Sequence, residues 1–387
     1  MREQLSREEL NRYSRHLVLP GMGMDGQLKL KASSVLVVGA GGLGCPALLY
    51  LAAAGVGRIG IVDQDNLELS NLQRQVLYTV DDIGASKSET AARRLKELNP
   101  HVEFISYPVR ITSENALPVV QTYDVVIDGT DNFPTRYLLN DACVLLNKPL
   151  VYGSILKFEG HVAVFNFRQA DGTFTSNYRD IFPMPPEEGS VPDCESGGVL
   201  GVLPGMIGTI MATEVLKVIT GVGAPLTDRL LVLDAETMEH MVLRFRSRGT
   251  RTQIDHLIDY DLFCGKSQEN NKSLRTDDNT NGMKEITVDE LKDLKESGTD
   301  FQLIDVREPH EYDIANLEGE LIPMNEIPQK VDRIARDKRV VLYCRTGRRS
   351  GEAIQWLERN HKFDNLYNLK GGILEWAREI DPEMEAY

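Results

Sequence analysis

From Ser33 to about Gly153, short β-branched runs ("SVLVVG", "RIGIVD", "YDVVIDGT", "PLVYGS") alternate with helical segments ("GASKSETAARRLKELN", "PTRYLLNDACVLLN"). That alternation predicts a parallel sheet with helices on its faces. "GHVAVFNF" and "RLLVLDAETMEHMVLRFR" read as later strands, with a helix from Gly205 to Thr220 between them. Apolar residues nearly vanish over 265–282, "GKSQENNKSLRTDDNTNG", which predicts a flexible linker. A second, shorter α/β series follows: "EITVDELKDLKESG", "FQLIDVREPHEY", "RVVLYCRTGRRS" and "NLYNLKGGILEWARE". The expected organisation is a mainly parallel α/β domain over residues 1–265, a linker over 266–283 and a small α/β domain over 284–387.

Composition agrees with two domains, since 387 residues at 42% apolar and 26% charged can bury two ordinary cores. The longest apolar stretch, "GVLGVLPGMIGTIMATEVLKVITGVG", is interrupted by glycines, a proline, Glu214 and Lys217, and reads as a buried helix and its approach loop, with no membrane span. "MREQLSREELNRYSRHL" reads as a polar amphipathic helix from the start, with no targeting segment ahead of it. Five scattered cysteines suit a reducing cytoplasm better than a disulfide framework. A formal net charge of −15 supplies no basic excess for binding nucleic acid broadly.

Chemistry enters at "VLVVGAGGLGCP", where an apolar strand runs into Gly39, Gly41 and Gly44. Glycines at this spacing turn the chain tightly, let backbone N–H groups approach a phosphate and open a helix whose positive end favours anions. Asp63 follows about 20 residues on, where an acid would bind ribose hydroxyls. NAD and ATP fit equally to this point. "DQDNLELSNLQRQ" separates them: Ser70, Asn71 and Arg74, with Lys87 on the next helix and Asp131 and Asn132 in "GTDN", gather two cations, amides and a carboxylate. An uncharged nicotinamide has no need of that set, whereas splitting a triphosphate needs cations on the pyrophosphate and an Asp for magnesium.

"GAGGLGCP", "DQDNLELSNLQRQ", "GTDNFPTRYLLNDAC" and "PDCESGGVLGVLPGMIGTIMATEVLK" resemble the ubiquitin-activating-like adenylyltransferases of sulfur-carrier pathways, the ThiF/MoeB-type family, from about Arg12 to Gly265. The resemblance implies a Rossmann-like adenylation domain, ATP with Mg2+ as cofactors, and a ubiquitin-like sulfur-carrier protein ending in Gly-Gly as partner. It places Gly42 and Asp63 at the nucleotide, Arg74 and Lys87 at the phosphates, Asp131 at the magnesium, and Arg15 in the site of the other subunit of a homodimer. Read singly, Arg15 is a solvated helix residue and Asp131 a helix N-cap. The resemblance also gives Cys194, in "VPDCESGG", a working role as a thioester former or disulfide resolver. Cys45 and Cys143, in apolar helical context, read as small hydrophobes. Relatives commonly bind a structural zinc through two CxxC pairs, but the matching positions here are Asn177, Asp180, Asp261 and Cys264. One thiolate of four does not suit such a site, so no structural zinc is expected.

"VVLYCRTGRRSGEAIQWL" repeats the strand, glycine turn and helix, with Cys344 ending the strand and Arg345, Gly347, Arg348 and Arg349 in the loop. Backbone N–H groups, a helix N-terminus and nearby arginines favour a thiolate nucleophile. A phosphatase loop would need arginine six positions after the cysteine, where Ser350 stands. The shorter loop resembles rhodanese over 284–380, supported by "LIDVREPHEY" and "NLKGGILEWARE", and implies that Cys344 carries sulfur as a persulfide. Asp305 and Arg307 read as scaffold for the loop.

The two resemblances combine into one reaction sequence, in which the first domain adenylates the carrier's terminal carboxylate and the Cys344 persulfide attacks it. Reduction by Cys194 then releases a thiocarboxylate. A linker of about 18 residues spans about 20–25 Å, enough for a swinging donor. A cysteine desulfurase or another donor would load the sulfur. Molybdopterin, thiamine, cysteine and tRNA thiolation all use such carriers. The alternatives are a conjugating activator working through a Cys194 thioester, and an NAD-dependent oxidoreductase with an accessory rhodanese module.

Overall fold

The computed structural model describes residues 4–186, 198–245, 251–265 and 283–384. Cys194 and the linker expected over 266–283, Met283 excepted, lie outside them. The chain divides into two compact units, Met1–Asn271 and Lys272–Tyr387.

The first unit is built on β1 (Ser34–Val38), β2 (Arg58–Val62), β3 (Glu103–Tyr107), β4 (Val125–Asp128), β5 (Leu150–Leu156), β6 (Glu159–Phe165), β7 (Arg229–Asp234) and β8 (His240–Arg244). They form one sheet in the order β3-β2-β1-β4-β5-β6-β7-β8. β1 to β5 pair in parallel, and β6 to β8 continue antiparallel. Side chains alternate between two faces. Val35, Val37, Ile59, Ile61 and Ile127 pack in one core, and Leu36, Val38, Val62 and Val126 in the other, so the central strands read as continuous apolar runs.

Three helices open the chain: α1 (Arg7–Arg12), α2 (Ser14–Leu17) and α3 (Gly23–Ala32). The single opening helix expected from the sequence is thus broken, because Tyr13 turns inward and accepts a hydrogen bond from Asn99 Nδ2 at 2.9 Å. Ser6 and Glu9 cap α1 reciprocally. α4 (Gly44–Ala54), α5 (Lys87–Leu98) and α8 (Leu203–Thr220) cover the first face; α6 (Ala116–Gln121), α7 (Phe133–Leu145) and α9 (Tyr260–Phe263) cover the second. α8 begins two residues before the expected Gly205 because Pro204 is accommodated in its first turn. Among the described residues α8 is long and apolar enough to cross a membrane, yet it packs on α4 and the sheet with Leu203, Ile207, Met211 and Val215 buried.

The second unit carries β9 (Glu285–Ile286), β10 (Phe301–Asp305), β11 (Glu320–Leu321), β12 (Arg339–Tyr343) and β13 (Leu366–Leu369) as a parallel sheet in the order β11-β10-β12-β13-β9. Its helices are α10 (Val288–Glu296), α11 (Pro309–Ile314), α12 (Arg348–His361) and α13 (Gly372–Glu379). α12 contributes Ala353, Ile354 and Leu357 to one core, while α10 and α13 contribute Leu291, Ile373 and Trp376 to the other.

Candidate functional site

In the first unit β1 neighbours both β2 and β4, and chain order reverses there. Ligands of open α/β sheets bind outside the carboxyl ends of strands at such a point. Gly39 leaves β1 with φ +91°, where a side chain would be strained. A Cβ on Gly39 would lie 2.7 Å from Gly129 O, and one on Gly44 only 1.9 Å from Gly39 O. The turns after β1 and β4 therefore touch backbone to backbone, which brings Asp131 and Asn132 beside the glycine turn.

The turn is pinned from below. Tyr78 Oη donates to Ala40 O at 2.8 Å, and the Asp63 carboxylate accepts from Ala40 N at 2.8 Å and from Asp65 N at 2.9 Å. Burial pushes the Asp63 carboxyl up from the usual aspartate value, against these two N–H groups. Among the described residues no protein group accepts from the N–H of Gly41 or Gly42. Their donors stay available at the N-terminal end of α4, where the helix dipole also favours an anion.

Around these donors stand most of the expected groups. A Cβ on Gly42 would lie 3.1 Å from Pro204 Cβ and 3.6 Å from Arg74 Cδ, so Arg74 and the start of α8 wall the turn. Arg74 donates to Ser70 O at 3.2 Å, and Asn71 Oδ1 accepts from Glu68 N at 3.2 Å, folding that segment into a short turn. Lys87 Nζ pairs with Asp65 at 3.0 Å. Asp131 is exposed, and the N-cap of α7 is Asn132, whose Oδ1 accepts from Thr135 N at 3.0 Å. The capping role read for Asp131 thus belongs to its neighbour, which leaves the Asp131 carboxylate outside the helix.

Arg15 is not brought to this turn. It is exposed on α2, and that segment is tied to the far end of α4 through His16, Gln27 and the Gln27 Nε2 bond to Ala54 O at 2.8 Å. An 11-residue helix separates the two ends, about 16 Å.

Sequence reasoning missed two features here. Gln75, the residue after Arg74, is buried, its Oε1 finds no partner among the described residues, and its Nε2 lies 3.6 Å from where a Gly41 Cβ would sit. Its place at the end of "SNLQRQ" was the available signal. Asp128 is fully buried at the end of β4, opposite Val38 in register, and accepts from Thr130 N at 3.0 Å and Thr130 Oγ1 at 2.6 Å. Its partner Arg136 approaches only to 3.5 Å, stacked between Phe133 and Tyr152, and among the described residues Asp128 Oδ2 and Arg136 Nε find no hydrogen-bond partner. Burial raises the Asp128 carboxyl, opposed by Arg136.

Three of the four positions that align with a zinc site make hydrogen bonds to protein groups. Asn177 caps the turn Tyr178–Asp180, Asp180 Oδ1 accepts from Thr252 N at 2.6 Å, and Asp261 takes Arg110 at 2.7 and 2.8 Å. Asp141 accepts from Arg179 at 2.7 and 2.8 Å and from Tyr260 Oη at 2.6 Å, which ties α7 to the last described segment of the unit. Cys45 and Cys143 are fully buried; burial pushes the Cys45 thiol up to about 12 and raises Cys143 further.

In the second unit Cys344 follows β12, and Gly347, also at φ +91°, forms the N-cap of α12. Gly347 N donates to Cys344 Sγ at 3.2 Å, and Ser350 Oγ lies 3.4 Å from the same sulfur. The arginines are less available than their sequence spacing suggests. Arg349 forms a bidentate pair with Glu311 at 2.6 and 2.6 Å, and Arg348 donates to Glu352 at 3.1 Å. Glu311 lies 38 residues away, beyond the reach of local pattern. Asp305 and Arg307, read as scaffold for the loop, form a fully buried pair at the end of β10, and Arg307 Nη2 also donates to Ala315 O at 2.7 Å.

The ThiF family profile matches residues 13–254, and the rhodanese-like domain profile matches 287–379. The chain is 46% identical over 388 residues, 99% of its length and 96% of the relative's, to "Probable adenylyltransferase/sulfurtransferase MoeZ" of Mycobacterium tuberculosis. It is 40% identical over 404 residues (99% and 90%) to "Adenylyltransferase and sulfurtransferase MOCS3" of Aedes aegypti. Its match to the "Sulfur carrier protein adenylyltransferase" of Thermus thermophilus is 52% identical over 266 residues, covering 67% of this chain and 98% of that one. Among solved structures, Escherichia coli MccB with ATP superposes with a TM-score of 0.54 at 21% identity, over 67% of this chain and 75% of that chain, a likeness of fold.

Proposed function

The chain belongs to the ThiF family and continues into a rhodanese-like domain, and on that premise we propose that it is an adenylyltransferase and sulfurtransferase that converts the C-terminal glycine carboxylate of a ubiquitin-like sulfur carrier into a thiocarboxylate. The carboxylate oxygen attacks the α-phosphorus of ATP, forming an acyl-adenylate and releasing pyrophosphate. The N–H groups of Gly41 and Gly42, without a protein acceptor among the described residues, carry this reading: fixed donors in a turn too tight for side chains at Gly39 and Gly44 suit phosphate oxygens. Gly39 and Gly44 shape that turn. Asp63 takes the ribose hydroxyls, and Ser70, Asn71, Arg74 and Lys87 bind and neutralise the phosphates. Asp131, exposed beside Asn132, would hold Mg2+, which when bound spreads charge from the leaving pyrophosphate. Arg15, which lies at the far end of α4 from this turn, acts in the site of a second copy of the chain.

Cys344 is the sulfur carrier of the second unit, cradled by Arg345, Gly347 and Arg349. Its persulfide anion displaces AMP from the acyl-adenylate and forms an acyl disulfide. A thiolate, read as Cys194, attacks Cys344 Sγ and expels the thiocarboxylate, leaving a disulfide between the two cysteines. A dithiol reductant supplies the two electrons that reset it. A cysteine desulfurase or another persulfide donor reloads Cys344. The hydrogen bonds of Asn177, Asp180 and Asp261 stand in for a structural zinc, and the reaction is placed in the cytoplasm, without nucleic acid or membrane.

Intact mass of a Gly-Gly-terminated carrier after incubation with the full chain, ATP, Mg2+ and thiosulfate tests the proposal. The expected result is a gain equal to exchanging oxygen for sulfur, lost without ATP. A carrier that remains enzyme-bound as a thioester and never gains sulfur would contradict it.

A further inference from the structure

Two side chains with no part in the proposed sulfur chemistry converge on Cys344. Ser350, in the first turn of α12, and Asn368, on β13, are both buried. Ser350 Oγ lies 3.4 Å from Cys344 Sγ, 2.7 Å from Asn368 Oδ1 and 3.2 Å from Gly347 O. A serine hydroxyl has one proton and two lone pairs, so it cannot donate to all three. With its proton on Asn368 Oδ1 it presents a lone pair to the sulfur, which fits a thiol that donates its S–H. A thiolate only accepts, and that arrangement gives it nothing. Turning the Asn368 amide about its Cβ–Cγ bond replaces Oδ1 by Nδ2; the amide then donates to Ser350 Oγ and the hydroxyl proton points at the sulfur.

We propose that Ser350 and Asn368 form a reversible hydrogen-bond relay that supports Cys344 as a thiol in one direction and as the attacking thiolate in the other. Ser350 touches the reacting sulfur; Asn368 is a positioning residue that sets which way Ser350 donates. The charged groups around the cradle leave room for such a dipolar contribution. Arg348 and Arg349 are matched by Glu352 and Glu311, and Arg307 by Asp305. On α13, Arg378 pairs with Glu375 and Glu379, while Arg345 and Lys370 flank the loop. Linked hydrogen bonds in a buried site polarise one another, so a chain of two donors does more for the anion than one.

The inference rests on Cys344 being the sulfur carrier, and its test is separable from that reading. Site-resolved alkylation of Cys344 by iodoacetamide is followed against pH in the full chain, with tryptophan fluorescence confirming that each variant is folded. Only the thiolate reacts. Ser350→Ala is expected to move the alkylation midpoint up by about one pH unit and slow the reaction about tenfold at neutral pH. Asn368→Asp, which can only accept, is expected to shift it in the same direction, and Ser350→Thr to restore the parent profile. A Ser350→Ala profile that coincides with the parent, or a shift that Ser350→Thr does not reverse, would overturn the relay. Incubating the parent with thiosulfate and weighing the Cys344 peptide reads sulfur loading separately: absence of a persulfide there contradicts the proposed function and leaves the alkylation comparison readable.

Discussion

Both units place an apolar strand, a glycine at φ +91° and a helix in succession, and each sets a buried aspartate on the neighbouring strand across from the residue before the turn. Val38 faces Asp128, and Tyr343 faces Asp305. The turns are nevertheless spent differently. In the first, the N–H groups of Gly41 and Gly42 have no protein acceptor among the described residues, Arg74 walls the turn and the Asp131 carboxylate is exposed. In the second, Gly347 N already donates to the chain's own sulfur, and Arg348 and Arg349 are matched by Glu352 and Glu311. The aspartates differ in the same sense. Asp305 holds Arg307 through close bonds on both oxygens, whereas one Asp128 oxygen has no hydrogen-bond partner among the described residues. The same local geometry thus serves an incoming phosphate in one unit and a resident nucleophile in the other.

The comparison breaks most visibly at the buried aspartates. Asp128→Ala strands the Arg136 charge, at a cost of about 3–5 kcal/mol. Both tryptophans, Trp356 and Trp376, lie in the second unit. The far-UV circular dichroism transition of the first unit should therefore move to lower denaturant while the tryptophan transition stays in place; movement of both would mean that the units do not unfold separately. Gly44→Ala comes next, because its Cβ meets backbone at 1.9 Å. A displaced turn should lower carrier-dependent ATP–pyrophosphate exchange about a hundredfold with Cys344 sulfur loading unchanged. Gly347→Ala should do the reverse: a cost of about 1–2 kcal/mol from the left-handed backbone, slower Cys344 alkylation and normal exchange.

The smallest effect concerns Asp82, which lies beyond Arg74 and binds Arg93 at 2.8 Å and Arg94 Nε at 2.9 Å. Burial pushes its carboxyl up, but the Thr79 N–H and Arg94 prevail and hold it below the usual aspartate value. A lowered folded-state pKa gives stability that is full above the unfolded value and fades as pH falls through the folded one. Asp82→Asn should cost about 1 kcal/mol or less at neutral pH and nothing at strongly acid pH, read from denaturant midpoints across pH.

Much of this was legible in the chain, because the features concerned are local. The short β-branched strands, both glycine turns and the helix that follows each could be read within a dozen residues. What escaped depends on distant partners. Tyr13 breaks the opening helix to reach Asn99, and Glu311 neutralises Arg349. Asn132, and not Asp131, caps α7, a choice between adjacent residues that both suit the position and that only the backbone decides. Gln75 and Asp128 declare themselves by burial, which a polar residue beside a motif does not announce.

The central claim, that one glycine turn activates a carboxylate while the other carries sulfur, is tested most directly by carrier-dependent ATP–pyrophosphate exchange measured alongside thiocarboxylate formation in Cys344→Ala and Asp131→Ala. Cys344→Ala is expected to retain exchange and form no thiocarboxylate, and Asp131→Ala to lose both. Loss of exchange in Cys344→Ala, or thiocarboxylate formed by Asp131→Ala, would contradict the account.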